Sequence, residues 1–197
     1  LRANSLARYR DQELGDWKFL VLDKKTNAPR MIGGAVGQRW QAKQGQWNLE
    51  FVDPTDGAEL DPALSLLDGR EGELQVNFHD FANEAKVARG VPVRYVETAE
   101  GKIPVTTVYD LLFAEFGVVR PGLKGAYPKG YDDEDAVYTP AWQEKFSGVG
   151  RATVLQFARE WGRTAELTEG KCSIIIGAGI NHWYHNNLIY RSGIVAL

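Results

Sequence analysis

The chain has 197 residues, of which 44% are hydrophobic and 11% aromatic, a composition typical of a globular protein with a packed core. Its formal net charge of −3 gives no strong attraction to nucleic acid or to an anionic membrane, so no nucleic-acid partner is expected. The single cysteine, Cys172, excludes a disulfide framework and any iron–sulfur or zinc site built from several cysteines of this chain. No apolar run reaches the length needed to cross a bilayer.

The two ends of the sequence favour a segment of a longer protein. The only methionine is Met31, so the chain does not begin at a start codon. Residues 189–197 have the pattern of an amphipathic helix that stops in mid-pattern. The alternative is a complete small protein from which a tag has been trimmed.

The first part of the chain, residues 1–104, is predicted to be the strand-rich end of one α/β domain. Strand-forming residues cluster in four segments, at residues 17–23, 38–51, 76–79 and 91–96. Pro92 interrupts the last of these segments, which predicts an edge strand. The glycine-rich stretch at residues 33–37 lacks the Gly-Lys-Ser/Thr ending of a phosphate loop, so it is predicted to be a hairpin-rich connection.

The second part, residues 105–197, has helical periodicity. Apolar spacing predicts helices at residues 106–117, 139–148, 151–165 and 188–197, with a buried strand at residues 172–176. Thr106 or Thr107 can cap the first helix, and Thr139 can cap the second. The predicted fold is α/β, with a mixed or parallel sheet flanked by helices in this part and small antiparallel strands before it.

Residues 173–187 carry the strongest sign of a ligand site. A run of strand-forming residues enters a Gly-x-Gly turn at Gly177 and Gly179, and a helical pattern follows. Such a turn brings backbone N–H groups close to a ligand, and the following helix N-terminus favours anionic groups. Two of the three histidines, His182 and His185, lie in this turn.

The residue types around this turn favour recognition over hydrolysis or metal binding. No serine–histidine–carboxylate set surrounds it, and no third ligand accompanies the two histidines at zinc-site spacing. Asparagine and histidine can satisfy the polar edges of heterocycles, while Trp183 and Tyr184 can pack against rings or fill a core. The residues alone leave open a nucleotide-like ligand or a purely structural turn. His79 stands alone, and the acidic run at residues 131–135 lacks the calcium-loop pattern, so no metal site is predicted.

The stretch at residues 177–185, followed by residues 189–194, resembles the catalytic alpha subunits of respiratory nitrate reductases, a branch of the dimethyl sulfoxide reductase family of molybdenum enzymes. Further matching pieces occur in the same order at residues 17–22, 45–50, 64–67, 105–111 and 131–142. The resemblance covers nearly the whole chain. The Thr-Pro-x-Trp pattern at residues 139–142 is general to the molybdenum family, whereas the Asn-His-Trp-Tyr-His run is specific to the nitrate reductase branch.

The resemblance implies an internal segment of a much longer subunit, which holds molybdenum between two molybdopterin guanine dinucleotides. The ligands of the family's 4Fe-4S cluster and the aspartate ligand of the molybdenum lie upstream of this segment. The resemblance assigns cofactor contacts to six residues: Gly177, Gly179, Asn181, His182, Tyr184 and His185. The two glycines would let the backbone approach the pterin dinucleotide. Asn181 and His182 would lie nearest the metal pocket, with His182 as the hypothetical catalytic residue.

The implied activity is reduction of nitrate to nitrite by the full subunit, with the isolated segment inactive. The implied partners are an iron–sulfur beta subunit and a membrane cytochrome b gamma subunit, which would hold the enzyme at the cytoplasmic face of the cell membrane. One alternative keeps the family and changes the substrate to nitrite, chlorate or selenate. A second alternative, from another class, is a non-catalytic α/β domain that binds a nucleotide or a protein partner.

Overall fold

A computed structural model describes residues 1–12, 15–34, 49–79 and 86–196. The chain forms two compact units, Leu1–Pro128 and Lys129–Leu197. The regular elements described in the first unit are strands, one α-helix and three short 3₁₀ helices, and those described in the second are helices. The predicted α/β class is confirmed, but the sheets in the described residues are antiparallel and all lie in the first unit.

The first unit begins with an antiparallel hairpin of β1 (Leu20–Asp23) and β2 (Ala28–Met31). Met31, at the end of β2, is buried against Ala3 and Tyr9 in a small core. A second pair joins β3 (Gly33–Gly34) to β4 (Leu49–Glu50). Most of the glycine-rich connection and of the strand predicted between residues 38 and 51 lies outside the described residues.

A three-stranded antiparallel sheet follows, with the order β5 (Gly72–His79), β6 (Lys86–Thr98) and β7 (Gly101–Val105). The edge position predicted from Pro92 is wrong, because β6 is the central strand. The pairing register explains why a central strand tolerates this proline. Strand β5 pairs with β6 as far as Val93, and β7 pairs with it only from Arg94 onward. Pro92 therefore has a strand partner on one side only. Its nitrogen faces away from β5, as Gly90 N does two residues earlier where it donates to Lys124 O, so the missing N–H breaks no ladder.

The first helix, α1 (Val108–Glu115), packs on β6 in the first unit. Its Ala114 joins Val91 and Val93 in a second buried core. The sequence signals at both ends of this helix are confirmed. Thr107 Oγ1 accepts a hydrogen bond from Asp110 N at 3.0 Å, and Gly117 follows the helix with φ at 71°, in the left-handed region that glycine adopts at low cost.

Two neighbouring threonines before α1 are expected to respond with opposite signs to the same substitution. Thr106 Oγ1 is buried and has no hydrogen-bond partner among the described residues. Thr106→Val should therefore stabilise the protein by about 1 kcal/mol, since an unsatisfied buried hydroxyl is lost. Thr107→Val should destabilise it by about 1–2 kcal/mol, because the helix loses its cap. Urea unfolding of both variants measures these changes, and two shifts of the same sign would contradict the assignment.

The second unit contains α2 (Pro140–Ser147), α3 (Arg151–Leu167) and α4 (Asn186–Ala196), and α2 contacts α3. The predicted start of α2 is confirmed, since Thr139 Oγ1 accepts from Trp142 N at 3.0 Å. Its predicted end is also confirmed, at Gly148 with φ at 70°. Within the described ranges, no helix is both long enough and apolar enough to span a membrane.

The buried strand predicted at residues 172–176 does not form in the described part of the chain. Residues 171–177 belong to no helix or strand, and the side chain of Ile175 is 95% exposed. A strand requires a hydrogen-bonded neighbour, and no described segment pairs with this one. The apolar stripe of α3 is also open, with the ring of Phe157 62% exposed. The second unit thus presents apolar side chains that its own described residues leave uncovered.

Candidate functional site

The candidate site is the loop of residues 177–185, which precedes α4. Its centre is a short 3₁₀ turn, Ala178–His182, and Gly177 precedes that turn with φ at −96°. Neither Gly177 nor Gly179 is required by a left-handed backbone. A Cβ added at either position would meet no described atom within 4 Å. The two glycines therefore leave the backbone accessible to a group from outside the described chain.

The polar residues predicted for the site lie together in this loop and are all exposed: Asn181, His182, Tyr184 and His185. The rings of Tyr184 and His185 meet edge to face, with centroids 4.1 Å apart. His185 has φ at 60°, a backbone conformation that non-glycine residues adopt at a cost of about 1–3 kcal/mol. Neither imidazole, of His182 or of His185, hydrogen-bonds to a described residue, so both remain available as donors or acceptors.

Asn181 is bound through both its side chain and its backbone. The hydroxyl of Tyr190, on α4, donates a hydrogen bond to Asn181 Oδ1. Asn186 Nδ2, at the start of α4, donates to the backbone oxygen of Asn181 at 2.9 Å. Asn181 Nδ2 donates to no described residue. The sequence placed Asn181 in the site but predicted no role for Asn186 or Tyr190. Their contacts with Asn181 depend on the register of α4, which a sequence motif does not define.

The loop and the segment before it present hydrogen-bonding groups that have no partner among the described residues. The backbone N–H groups of residues 173–177, in the segment that leads into the loop, donate to no described residue and are free to bind acceptor oxygens. The amide of Asn181 and the two imidazoles suit the edges of a heterocycle. The described residues hold no group of three or more histidine, cysteine or carboxylate side chains placed to bind a metal. The described part of the loop therefore offers hydrogen-bonding groups and no set of three or more metal ligands.

A buried ionic cluster around Asp53 lies in the first unit and has a structural role. Asp53, 0% exposed, accepts hydrogen bonds from Arg30 Nε at 2.8 Å, from Thr55 Oγ1 at 2.6 Å and from the Tyr9 hydroxyl. Burial raises the pKa of this carboxyl, but the hydrogen bonds from Thr55, Tyr9 and Arg30 outweigh burial and hold the pKa below its ordinary value. The sequence did not predict this cluster, because Tyr9 and Arg30 are far from Asp53 along the chain.

A second cluster surrounds Asp110, which is 1% exposed. Its carboxylate accepts hydrogen bonds from Ser65 Oγ at 2.7 Å, from Leu66 N at 2.8 Å and from Thr107 Oγ1 at 2.9 Å. Arg120 completes the cluster with an ion pair to the same carboxylate. This cluster fastens the start of α1 to two distant segments of the first unit.

The first unit also contains an apolar groove of about 410 Å³. Its walls come from β1, from β6 and β7, and from the start of α1, and they include Phe19, Leu22, Leu64, Tyr95 and Val108. None of the loop residues 177–185 lines it, and no cluster of titratable groups faces it. The groove is a packing feature of the first unit and offers no set of residues for catalysis.

The comparisons with known proteins agree with the resemblance read from the loop. No protein-family model matches the chain. It is 39% identical over 194 residues to the nitrate reductase alpha subunit of Mycobacterium tuberculosis H37Rv, covering 95% of this chain and 15% of that protein. It is 37% identical over 206 residues to the respiratory nitrate reductase 1 alpha chain of Escherichia coli K12, covering 97% and 16%. It is 37% identical over 179 residues to the nitrate reductase alpha chain of Bacillus subtilis, covering 89% and 14%.

These relatives are all subunits of oxidoreductases. The chain belongs to the nitrate reductase alpha-chain family, as the sequence resemblance predicted. It spans only about 15% of the length of the relatives that it matches. The match extends over most of the chain and is not confined to the loop.

Proposed function

We propose that the chain is a segment of the catalytic alpha subunit of a molybdenum-dependent nitrate reductase, in which residues 177–185 form one wall of the cofactor pocket. The observation that carries the proposal is the exposure of the polar side chains and glycines of this loop. Its polar side chains are exposed and its two glycines are uncovered, in a chain that matches nitrate reductase alpha chains over 89–97% of its length. The alternative of a non-catalytic α/β domain has no comparable support.

The implied cofactor is molybdenum held by two molybdopterin guanine dinucleotides, which when bound supplies the two-electron chemistry that converts nitrate to nitrite. Gly177 and Gly179 allow the backbone to approach the dinucleotide. Asn181 and His182 donate hydrogen bonds to the pterin or to the substrate, and Tyr184 and His185 add polar contacts at the end of the loop. The protein in this loop binds and orients, and the metal ligand and the 4Fe-4S cluster belong to other parts of the full subunit.

The Escherichia coli relative is named a respiratory nitrate reductase alpha chain, which supports an assembly in an electron-transport complex. The proposed partners are an iron–sulfur beta subunit and a membrane cytochrome b gamma subunit. These partners would hold the full alpha subunit at the cytoplasmic face of the membrane. Nitrate is the proposed substrate, ahead of nitrite, chlorate and selenate, because the relatives named above are nitrate reductases.

Alanine substitutions at the two loop glycines test the cofactor wall. In the full-length enzyme, Gly177→Ala and Gly179→Ala should each weaken cofactor retention about tenfold, since a methyl group forced into a close contact costs about 1–3 kcal/mol. Molybdenum content after gel filtration, measured by mass spectrometry, gives the result. The fold should be unaffected, because neither Cβ meets a described atom within 4 Å.

Gly69→Ala is the matched control, because a Cβ at Gly69 also meets nothing within 4 Å and its backbone is not left-handed. This variant should keep the molybdenum content of the unmodified enzyme. Full molybdenum content in both loop variants would remove the proposed contact between loop and cofactor.

A further inference from the structure

One face of α4 holds Asn181 at two points. Asn186 and Tyr190 are four residues apart on this helix, so their side chains lie on the same face. Asn186 binds the backbone oxygen of Asn181 at 2.9 Å, and Tyr190 binds its side-chain oxygen. Both helix residues are half-buried, whereas Asn181 is exposed. The helix thus fixes the main chain and the side chain of a single loop residue.

These two contacts determine which hydrogen-bonding groups Asn181 presents. An amide oxygen only accepts, so the Tyr190 hydroxyl must be the donor in its contact with Oδ1. The Nδ2 group, with two N–H donors, has no partner among the described residues. Asn181 is therefore held with its acceptor occupied and its donors free.

We infer that Tyr190 and Asn186 are positioning residues, which orient the Asn181 amide so that its N–H groups bind a hydrogen-bond acceptor of the ligand. This inference rests on the proposed function of the loop. The acceptor chemistry is a carbonyl or oxyanion oxygen or a ring nitrogen, and it can belong to the pterin cofactor or to the nitrate substrate.

Tyr190→Phe in the full-length enzyme removes the hydroxyl and keeps the ring. Loss of one hydrogen bond of this kind corresponds to an effect of about 2- to 10-fold. If the acceptor belongs to the cofactor, molybdenum content should fall by this factor. If the acceptor belongs to nitrate, molybdenum content should stay complete and the KM for nitrate should rise by this factor, with little change in kcat. Unchanged molybdenum content together with an unchanged KM would overturn the inference.

Asn181→Asp distinguishes the orientation of the side chain by Tyr190 from hydrogen-bond donation to the ligand. It keeps an acceptor for the Tyr190 hydroxyl and removes both N–H donors. This variant should reproduce the loss seen in Tyr190→Phe while the loop stays ordered. Tyr131→Phe is the matched control, since Tyr131 is 62% exposed and its hydroxyl bonds to no described residue. It should leave molybdenum content and KM unchanged.

Hydrogen exchange of the loop amides distinguishes failure of this inference from failure of the proposed function. If the unmodified full-length protein holds no molybdenum and does not reduce nitrate, the proposed function is wrong. Exchange at residues 178–185 should still become about 2- to 10-fold faster in Tyr190→Phe, and not in Tyr131→Phe, if α4 holds the loop. Equal exchange in all three proteins would overturn the positioning role by itself.

Discussion

Asp110→Asn is expected to destabilise the protein by about 3–5 kcal/mol, the usual cost of leaving one member of a buried ion pair without its partner. Arg120 would lose its counter-charge. The new NH2 group would also oppose the donors on the oxygen that it replaces, which are Ser65 and Arg120 at Oδ1 or Leu66 and Thr107 at Oδ2. The start of α1 would lose its anchor to the segment at residues 65–66.

Urea denaturation of the two proteins measures this loss directly. Asp68→Asn is the matched control, because Asp68 is exposed and no hydrogen bond or ion pair joins its side chain to a described residue. This control should change the unfolding free energy by less than about 0.5 kcal/mol. A loss below about 1 kcal/mol for Asp110→Asn would show that the cluster is not a stabilising anchor.

His182→Ala in the full-length enzyme is expected to lower nitrate turnover by about 10²–10⁴-fold, the range typical of a lost general acid. His182 is exposed in the loop and its imidazole bonds to no described residue, so an N–H group is free to donate to the substrate oxygen. His182→Gln keeps a hydrogen-bond donor but no titratable group. An intermediate loss in that variant would separate hydrogen bonding from proton donation.

The comparison for this experiment is His79→Ala, an exposed histidine on β5 in the first unit. Its turnover should equal that of the unmodified enzyme. Molybdenum content is measured for every variant, so that a lost cofactor is not mistaken for a lost proton donor. Unchanged nitrate turnover in His182→Ala, with full molybdenum content, would remove the catalytic hypothesis.

Sequence signals were reliable where they act within a few residues. Thr106 or Thr107, Thr139 and Gly148 were predicted as helix ends. Thr107, Thr139 and Gly148 form the expected caps, because capping is a contact between near neighbours in sequence. Pro92 misled the prediction of strand order. Its effect depends on which strands lie on either side of β6, and pairing over such distances leaves no trace in the local pattern.

The candidate site could be proposed from the sequence, but the contacts that hold Asn181 within it could not. The Gly-x-Gly turn and the family resemblance pointed to residues 177–185, which form a loop around a short 3₁₀ turn. The contacts of Asn186 and Tyr190 with Asn181 depend on where α4 begins, which periodicity fixes only to within a few residues. The strand at residues 172–176 was predicted from a run of strand-forming residues, and such a run does not make a strand without a pairing partner.

The uncovered apolar side chains of the second unit have a consequence for the order of folding. The first unit is fastened by contacts between residues 44 or 45 positions apart, such as Tyr9 with Asp53 and Ser65 with Asp110, and such distant closures slow folding. The helices of the second unit form from local contacts and are expected to appear early. Phe157 and Ile175 nevertheless remain open to solvent in those helices and the segment that follows. The second unit is therefore expected to form its secondary structure first, although it leaves large apolar side chains exposed.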